Sequence, residues 1–123
     1  MNSAQALHQF WSGFGWKAYD QATVPSGDFS PEMPRITYEV AMSELGYPVS
    51  LSASLWDRSF SWVTVSEKAK AISDSLGRGG VLIPFDDGAM WIVRGSPFAQ
   101  RVTDEDDAVR RIVINVNVEF ISA

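Results

Sequence analysis

Few residues of this sequence combine type and spacing in a way that could do chemistry. The single histidine, His8, would need a nucleophile and an orienting group within reach to serve as a general base. No Gly-x-Ser-x-Gly turn presents a serine to it, so it reads as a surface or capping residue. The run Asp104-Glu105-Asp106-Asp107 supplies carboxylate oxygens of the kind hard cations take, but it lacks the alternate ligand spacing and central glycine of a calcium loop. It reads instead as a solvated acidic loop, or as one that pairs with arginines of a neighbour. The letters Gly13-Phe14-Gly15-Trp16-Lys17-Ala18 match a relaxed dinucleotide fingerprint. No strand precedes them and no amphipathic helix follows, so these glycines have no helix start on which to hold a pyrophosphate. Gly77-Arg78-Gly79-Gly80 resembles one unit of an RNA-binding tract, yet it occurs once and at a helix end, where capping accounts for it. Two acids converging in a cleft, as in a small carboxylate-dependent hydrolase, remain an alternative of another class. No pair is singled out, and no cofactor or metal is expected.

Composition narrows the classes further. A chain of 123 residues suits one domain, residues 1–123, able to bury roughly two thirds of the surface its unfolded form exposes. The formal charge of −5 argues against a surface built to neutralise phosphates and against acidic substrates. With no cysteine, disulfides, thiolate chemistry and cysteine-bound zinc are excluded. No run reaches the roughly 18 apolar residues of a spanning helix, and the first residues lack the basic start and apolar core of a signal peptide. The expectation is a protein made in the cytoplasm with no membrane segment. Five tryptophans exceed what one modest core needs, which assigns some of them to a contact surface.

The elements that must position these residues are read from periodicity. Ser61 to Gly80 carries Trp62, Val65, Ala69, Ile72 and Leu76 at helical spacing, with Glu67, Lys68, Lys70, Ser73 and Asp74 opposite. Ser61 is the expected N-cap, Thr64 to Glu67 forms a capping box in sequence, and Gly77 suits a left-handed C-cap. A short helix is expected over Ala4 to Trp11, followed by ordered loop. Alternation predicts a strand from Arg35 to Met42, a turn at Leu45-Gly46-Tyr47-Pro48 and a second strand from Val49 to Trp56. On that second strand Ser50, Ser52 and Ser54 fall together on one face, small enough for another chain to approach closely, although a solvated face fits them as well. Val81 to Phe85 and Ala89 to Arg94 form a hairpin about Asp86-Asp87-Gly88. The connection from Gly95 to Val109 is long and therefore reads as a functional loop, and Arg110 to Ile121 closes the chain as an inner strand. The fold class is thus α+β, two layers, with an antiparallel sheet of about five strands and two helices packed on one face.

Taken in order, Ala18-Tyr19-Asp20, Val24-Pro25, Pro34-Arg35-Ile36-Thr37-Tyr38-Glu39, Ala53-Ser54-Leu55-Trp56, Gly77-Arg78-Gly79-Gly80 and the stretch from Gly88 to Arg101 resemble the tail-terminator and minor tail proteins of long-tailed phages of Gram-positive hosts. The resemblance covers most of the chain and involves no catalytic signature. It implies a non-enzymatic virion protein, made in the host cytoplasm, that forms a hexameric ring capping the tail tube and joining it to the head. The implied partners are further copies of itself, the tail tube protein and a head-completion or connector protein, with DNA passing through the lumen without specific binding. An acidic wall suits that passage. A head-completion protein or another minor tail protein fits the same composition. The expected subunit interface comprises Ser50, Ser52 and Ser54, together with Arg78, Arg94 and Arg101 facing Asp104, Glu105, Asp106 and Asp107 of an adjacent subunit.

Overall fold

A computed structural model of the chain describes residues 1–24, 32–40 and 48–122, with Ser122 described as backbone only. The elements are α1 (Ser3–Ser12), β1 (Lys17–Asp20), β2 (Arg35–Tyr38), β3 (Val49–Arg58), α2 (Val63–Leu76), β4 (Val81–Phe85), β5 (Gly88–Val102) and β6 (Val109–Ser122). The strands form one sheet in the order β1-β2-β3-β6-β5-β4. The α+β class holds. The sheet has six strands rather than about five, and it is mixed, because β1 pairs in parallel with β2 while every other pairing is antiparallel. β1 escapes sequence reading because it is four residues long, lies at the sheet edge and buries only Ala18.

Alternation places the core on one face of this sheet. Ile112, Ile114, Val116, Val118 and Phe120 of β6 stand opposite Leu55, Ala53 and Leu51 of β3 and Ile92 and Met90 of β5, and all are buried. Both helices join the same cluster, α1 through Ala6, Leu7 and Trp11, and α2 through Val65, Ala69, Ile72 and Leu76. α2 packs across β3, β6 and β5, whereas α1 touches both outermost strands, β1 and β4. The sheet therefore curls, and α1 bridges its two edges. Trp11 stacks on Tyr38 of β2 at 6.5 Å between ring centroids. At the other end of α1 the amino group of Met1 pairs with Asp86 in the β4–β5 turn, and the Asp86 N–H donates to the Met1 carbonyl.

The helix ends are set by local chemistry. Asn2 caps α1 reciprocally with Gln5, its side chain accepting from the Gln5 N–H at 2.8 Å while the Gln5 side chain accepts from the Asn2 N–H at 2.9 Å. α2 begins differently from expectation: Trp62 occupies the cap position with helical dihedrals and no side-chain bond, so Thr64 to Glu67 lies within the helix. Ser61 still accepts from the Val63 N–H at 3.2 Å. Gly77 ends α2 as expected, but at φ 60° and ψ −165° it is extended with positive φ rather than left-handed helical, a region open to glycine. Gly80 at φ 75° has its Cα so close to the Ile92 carbonyl that a Cβ would overlap that oxygen.

Two boundaries move. β2 ends at Tyr38, with Met42 and positions 45–47 of the expected turn outside the described residues. β5 continues to Val102, leaving a connection of residues 103–108 in place of the long loop from Gly95. Between Arg94 and Ala99 β5 takes five steps while β6 takes two, from Val116 to Ile114. That bulge hides the strand period and made Gly95 onward look like loop.

Ile72 is wholly buried at the centre of the α2 stripe. Ile72→Ala is expected to cost about 2–5 kcal/mol, read from the midpoint of urea unfolding at unchanged slope.

Candidate functional site

The helices and the core occupy one face of the sheet, so the opposite face is built from the alternate residues of every strand, and register sorts them into bands. At one end Lys17, Arg35, Trp56, Arg111 and Val102 lie in a single row across β1, β2, β3, β6 and β5. The middle is small and polar: Thr37, Ser54, Ser52, Asn115, Ser50 and Asn117. The far end is apolar, with Leu82, Trp91 and Ile121 exposed by 63%, 42% and 41%. Val93 and Trp91 line a shallow groove of about 190 Å³ with Pro48, Asn117 and Glu119.

The basic row is held by stacking. Arg35 and Arg111 lie over Trp56, their guanidinium carbons 5.2 Å and 4.5 Å from its ring centroid. The Trp56 indole N–H donates to Thr37 Oγ1 at 2.9 Å, which fixes the ring across β2 and β3. Arg111 donates through Nε and Nη2 to Ser54 Oγ at 3.1 and 3.0 Å. Arg35 is 92% buried in this arrangement, counted from its 8% exposure, and burial pulls its pKa below the ordinary value; Tyr19 opposes that shift and Arg58 adds to it. A tryptophan between two guanidiniums is attractive through its ring faces, at about 0.5–2 kcal/mol per contact depending on desolvation. It also holds two like charges side by side.

The expected site residues divide between the two faces. Ser50, Ser52 and Ser54 do share the face away from the helices, but Ser54 is buried there, as are Arg35 and Thr37 of β2. Each serine is engaged within the chain: Ser50 Oγ donates to Asn117 Oδ1 at 2.9 Å, Ser52 is bonded to Glu39 through its N–H and hydroxyl, and Ser54 accepts from Arg111. Arg94 stands opposite Val116 on the helix-bearing face and donates to Ser73 of α2 at 3.0 Å. Arg101 is also on that face, 4.8 Å from the Trp62 ring centroid, with Arg110 at 5.4 Å from the same ring. Arg78 is exposed in the α2–β4 turn. The three expected arginines are therefore not gathered with the serines. The cations that are gathered there, Lys17, Arg35 and Arg111, went unread, because only strand register puts them in one row.

The acidic run forms the tip of the β5–β6 turn. Asp104 accepts from the Asp106 N–H at 3.0 Å, Asp106 accepts from the Ala108 N–H at 2.9 Å, and Arg110 donates to the Asp107 carbonyl at 2.8 Å. Arg58 of the same chain pairs with Asp106 at 3.1 Å. The Ala108 N–H, followed by Arg58, holds the Asp106 carboxyl below the ordinary carboxylate range.

One arrangement with a catalytic outline lies elsewhere. Ser12 Oγ is 3.3 Å from His8 Nε2, and His8 Nδ1 is 2.9 Å from the Tyr38 hydroxyl, beside an open groove of about 520 Å³ that also takes in Trp16 and Lys17. Burial, then the nearby Asp20 carboxylate, raises the Tyr38 pKa above the ordinary value. Ser12 ends α1, where backbone carbonyls and the negative end of the helix dipole oppose a developing oxyanion. The chain of bonds orients the His8 ring without completing an acyl-transfer site. Among the described residues no group of acids and histidine gathers as a metal site, and no helix is long and apolar enough to cross a membrane.

No protein-family model, no curated protein and no solved structure matches this chain.

The depressed Asp106 carboxyl carries a pH signature. Its contribution to stability is full above the ordinary aspartate value of 3.8 and is lost as pH falls through the lower folded value, since protonation then favours the unfolded chain. Asp106→Asn is expected to flatten the acid limb of a stability-against-pH curve below that value and to leave the neutral region nearly level, measured by thermal melts in steps of pH.

Proposed function

We propose that this chain is a structural subunit that assembles with copies of itself into a ring of the phage tail-terminator kind, closing the tail tube and joining it to the head. The observation that carries this reading is the six-stranded sheet whose helices cover one face, while the other presents a basic row, a small-residue middle and an exposed apolar end. A monomer leaves isolated apolar residues in water without consequence, but Leu82, Trp91 and Ile121 are neighbours on adjacent strands and form a patch. Aromatic and arginine residues are the types enriched where protein surfaces meet. The accessible part of the small middle band, around Ser50, Ser52, Asn115 and Asn117, lets a second backbone come close. The order of motifs that resembles the tail proteins supports the same reading, and so does the acidic balance, because a negative lumen does not hold DNA. A ring requires head-to-tail contacts between two different patches of the subunit, and a face with distinct ends provides them.

Sedimentation velocity and native mass at tens of micromolar test this, alone and with isolated tail tubes. A discrete closed oligomer is expected, and a protein that stays monomeric in both settings sinks the proposal. Leu82→Asp is expected to weaken association at least about tenfold while shifting thermal unfolding little, since Leu82 is already mostly in water.

A further inference from the structure

The described residues expose large apolar side chains in two clusters of different shape. One is the end of the uncovered face where Leu82, Trp91 and Ile121 adjoin the groove of about 190 Å³ beside Pro48. The other is the turn from β3 into α2, where Phe60 and Val63 are exposed by 77% and 61% on either side of Trp62. Pro48 precedes β3 and Phe60 follows it, so the ten residues of that strand hold the clusters about 33 Å apart. They cannot meet within one chain.

Both clusters are set before a partner arrives. The Phe60 turn is fixed by the Ser59 N–H donating to the Ala108 carbonyl at 2.7 Å, the Ser61 N–H to Ser59 Oγ at 3.0 Å and Arg110 Nη2 to the Phe60 carbonyl at 2.9 Å. On the groove side the Trp91 indole N–H donates to the Gly79 carbonyl at 2.7 Å. Docking of such surfaces loses little ordering entropy. Two copies joined groove to groove would face their Glu119 carboxylates, which line the groove and make no hydrogen bond or ion pair among the described residues. Like charges at a desolvated contact oppose that pairing. Two Phe60 turns joined to each other would set one protruding surface on another. Phe60 in the groove avoids both, and it brings Glu119 toward the guanidinium of Arg101, which lies on Trp62 and among the described residues has no acid partner. A buried aromatic side chain removes about 150–250 Å² from water. With Val63, Leu82, Trp91 and Ile121 it supplies the apolar centre of an interface of ordinary size, about 800 Å² per partner.

We infer that Phe60 of one copy inserts beside Trp91 and Leu82 of the next, with Val63 against the same patch and Glu119 turned to Arg101. The inference rests on the self-assembly reading and assigns that joint its two halves. Each copy carries one protruding cluster and one groove, so the contacts run head to tail.

Sedimentation velocity on full-length variants tests the joint by mixing. Phe60→Ser and, separately, Leu82→Asp are each expected to raise the concentration needed for assembly at least about tenfold. The Phe60→Ser copy keeps its groove and the Leu82→Asp copy keeps its Phe60, so an equimolar mixture is expected to form one sound joint and stop at a heterodimer. Arg101→Glu is expected to weaken assembly, and Glu119→Arg in the same chain to restore most of the loss. Circular dichroism and thermal melts accompany each variant, and Val63→Asp takes the place of Phe60→Ser if that variant unfolds. Wild-type assembly with Phe60→Ser assembling equally well overturns this joint and leaves the assembly reading standing. Assembly lost in both variants with no heterodimer on mixing overturns the pairing of these two clusters. A wild type that never assembles, alone or with tail tubes, overturns both.

Discussion

The register of β6 is the constraint on which the rest of the structure depends. Its residues alternate without a break from Ile112 to Phe120, and the inward set is buried between β3 and β5. Because strand side chains repeat every two residues, a slip of one position would turn five apolar side chains to water and put Arg111, Val113, Asn115, Asn117 and Glu119 inside. Burial of that magnitude leaves one register. The composition of the uncovered face follows as a by-product: once Ile112 points inward, Arg111 must lie beside Trp56, and Asn117 must lie beside Ser50. The same packing that stabilises the domain therefore sorts the outward residues into their bands.

At the end of the sheet where β6 begins, the apolar core runs out and aromatic–guanidinium contacts take over on both faces. Consecutive arginines do this because they point opposite ways, Arg111 to Trp56 on the uncovered face and Arg110 to Trp62 on the other. Each tryptophan meets a second arginine, Arg35 or Arg101. Trp62 for this reason is only partly buried and lies over the margin of the core, although its place in the helical stripe suggested a central position. Planar, weakly hydrated guanidinium groups can cover an indole and still reach carbonyls or hydroxyls at their rims. Arg110 does so, with Nη2 on the Phe60 carbonyl.

Much of the fold was legible because periodicity and burial coincide in α2, β3 and β6, where one face is apolar throughout. The misses share a physical cause. β1 has too few residues to show a period and owes its place to pairing with β2, and the second half of β5 is hidden by a bulge whose extra residues break the alternation. The site was legible in part. The three serines were read as sharing one face, and they do, since strand phase is local information. Lys17, Arg35 and Arg111 are far apart in sequence, and only the pairings of β1 with β2, β2 with β3 and β3 with β6 bring them together. The partners of His8 were missed for a similar reason: Ser12 is one helical turn away and predictable from spacing, but Tyr38 arrives through the packing of α1 on the sheet.

The strand order has a consequence for how the molecule comes into being. β3 and β5 are not neighbours; β6 lies between them and is made after both. Until residues 109–122 have been synthesised, the chain emerging from the ribosome holds two separate half-sheets, β1-β2-β3 and β5-β4, each with an open inner edge and apolar side chains that have nothing to pack against. Completion is therefore a late, long-range event, of the kind that slows folding and exposes strand edges to wrong partners in the interval. In a setting where many copies are translated close together, those open edges meet one another first. Insertion of β6 closes both at once, so a folded chain meets any other copy with the central gap already filled.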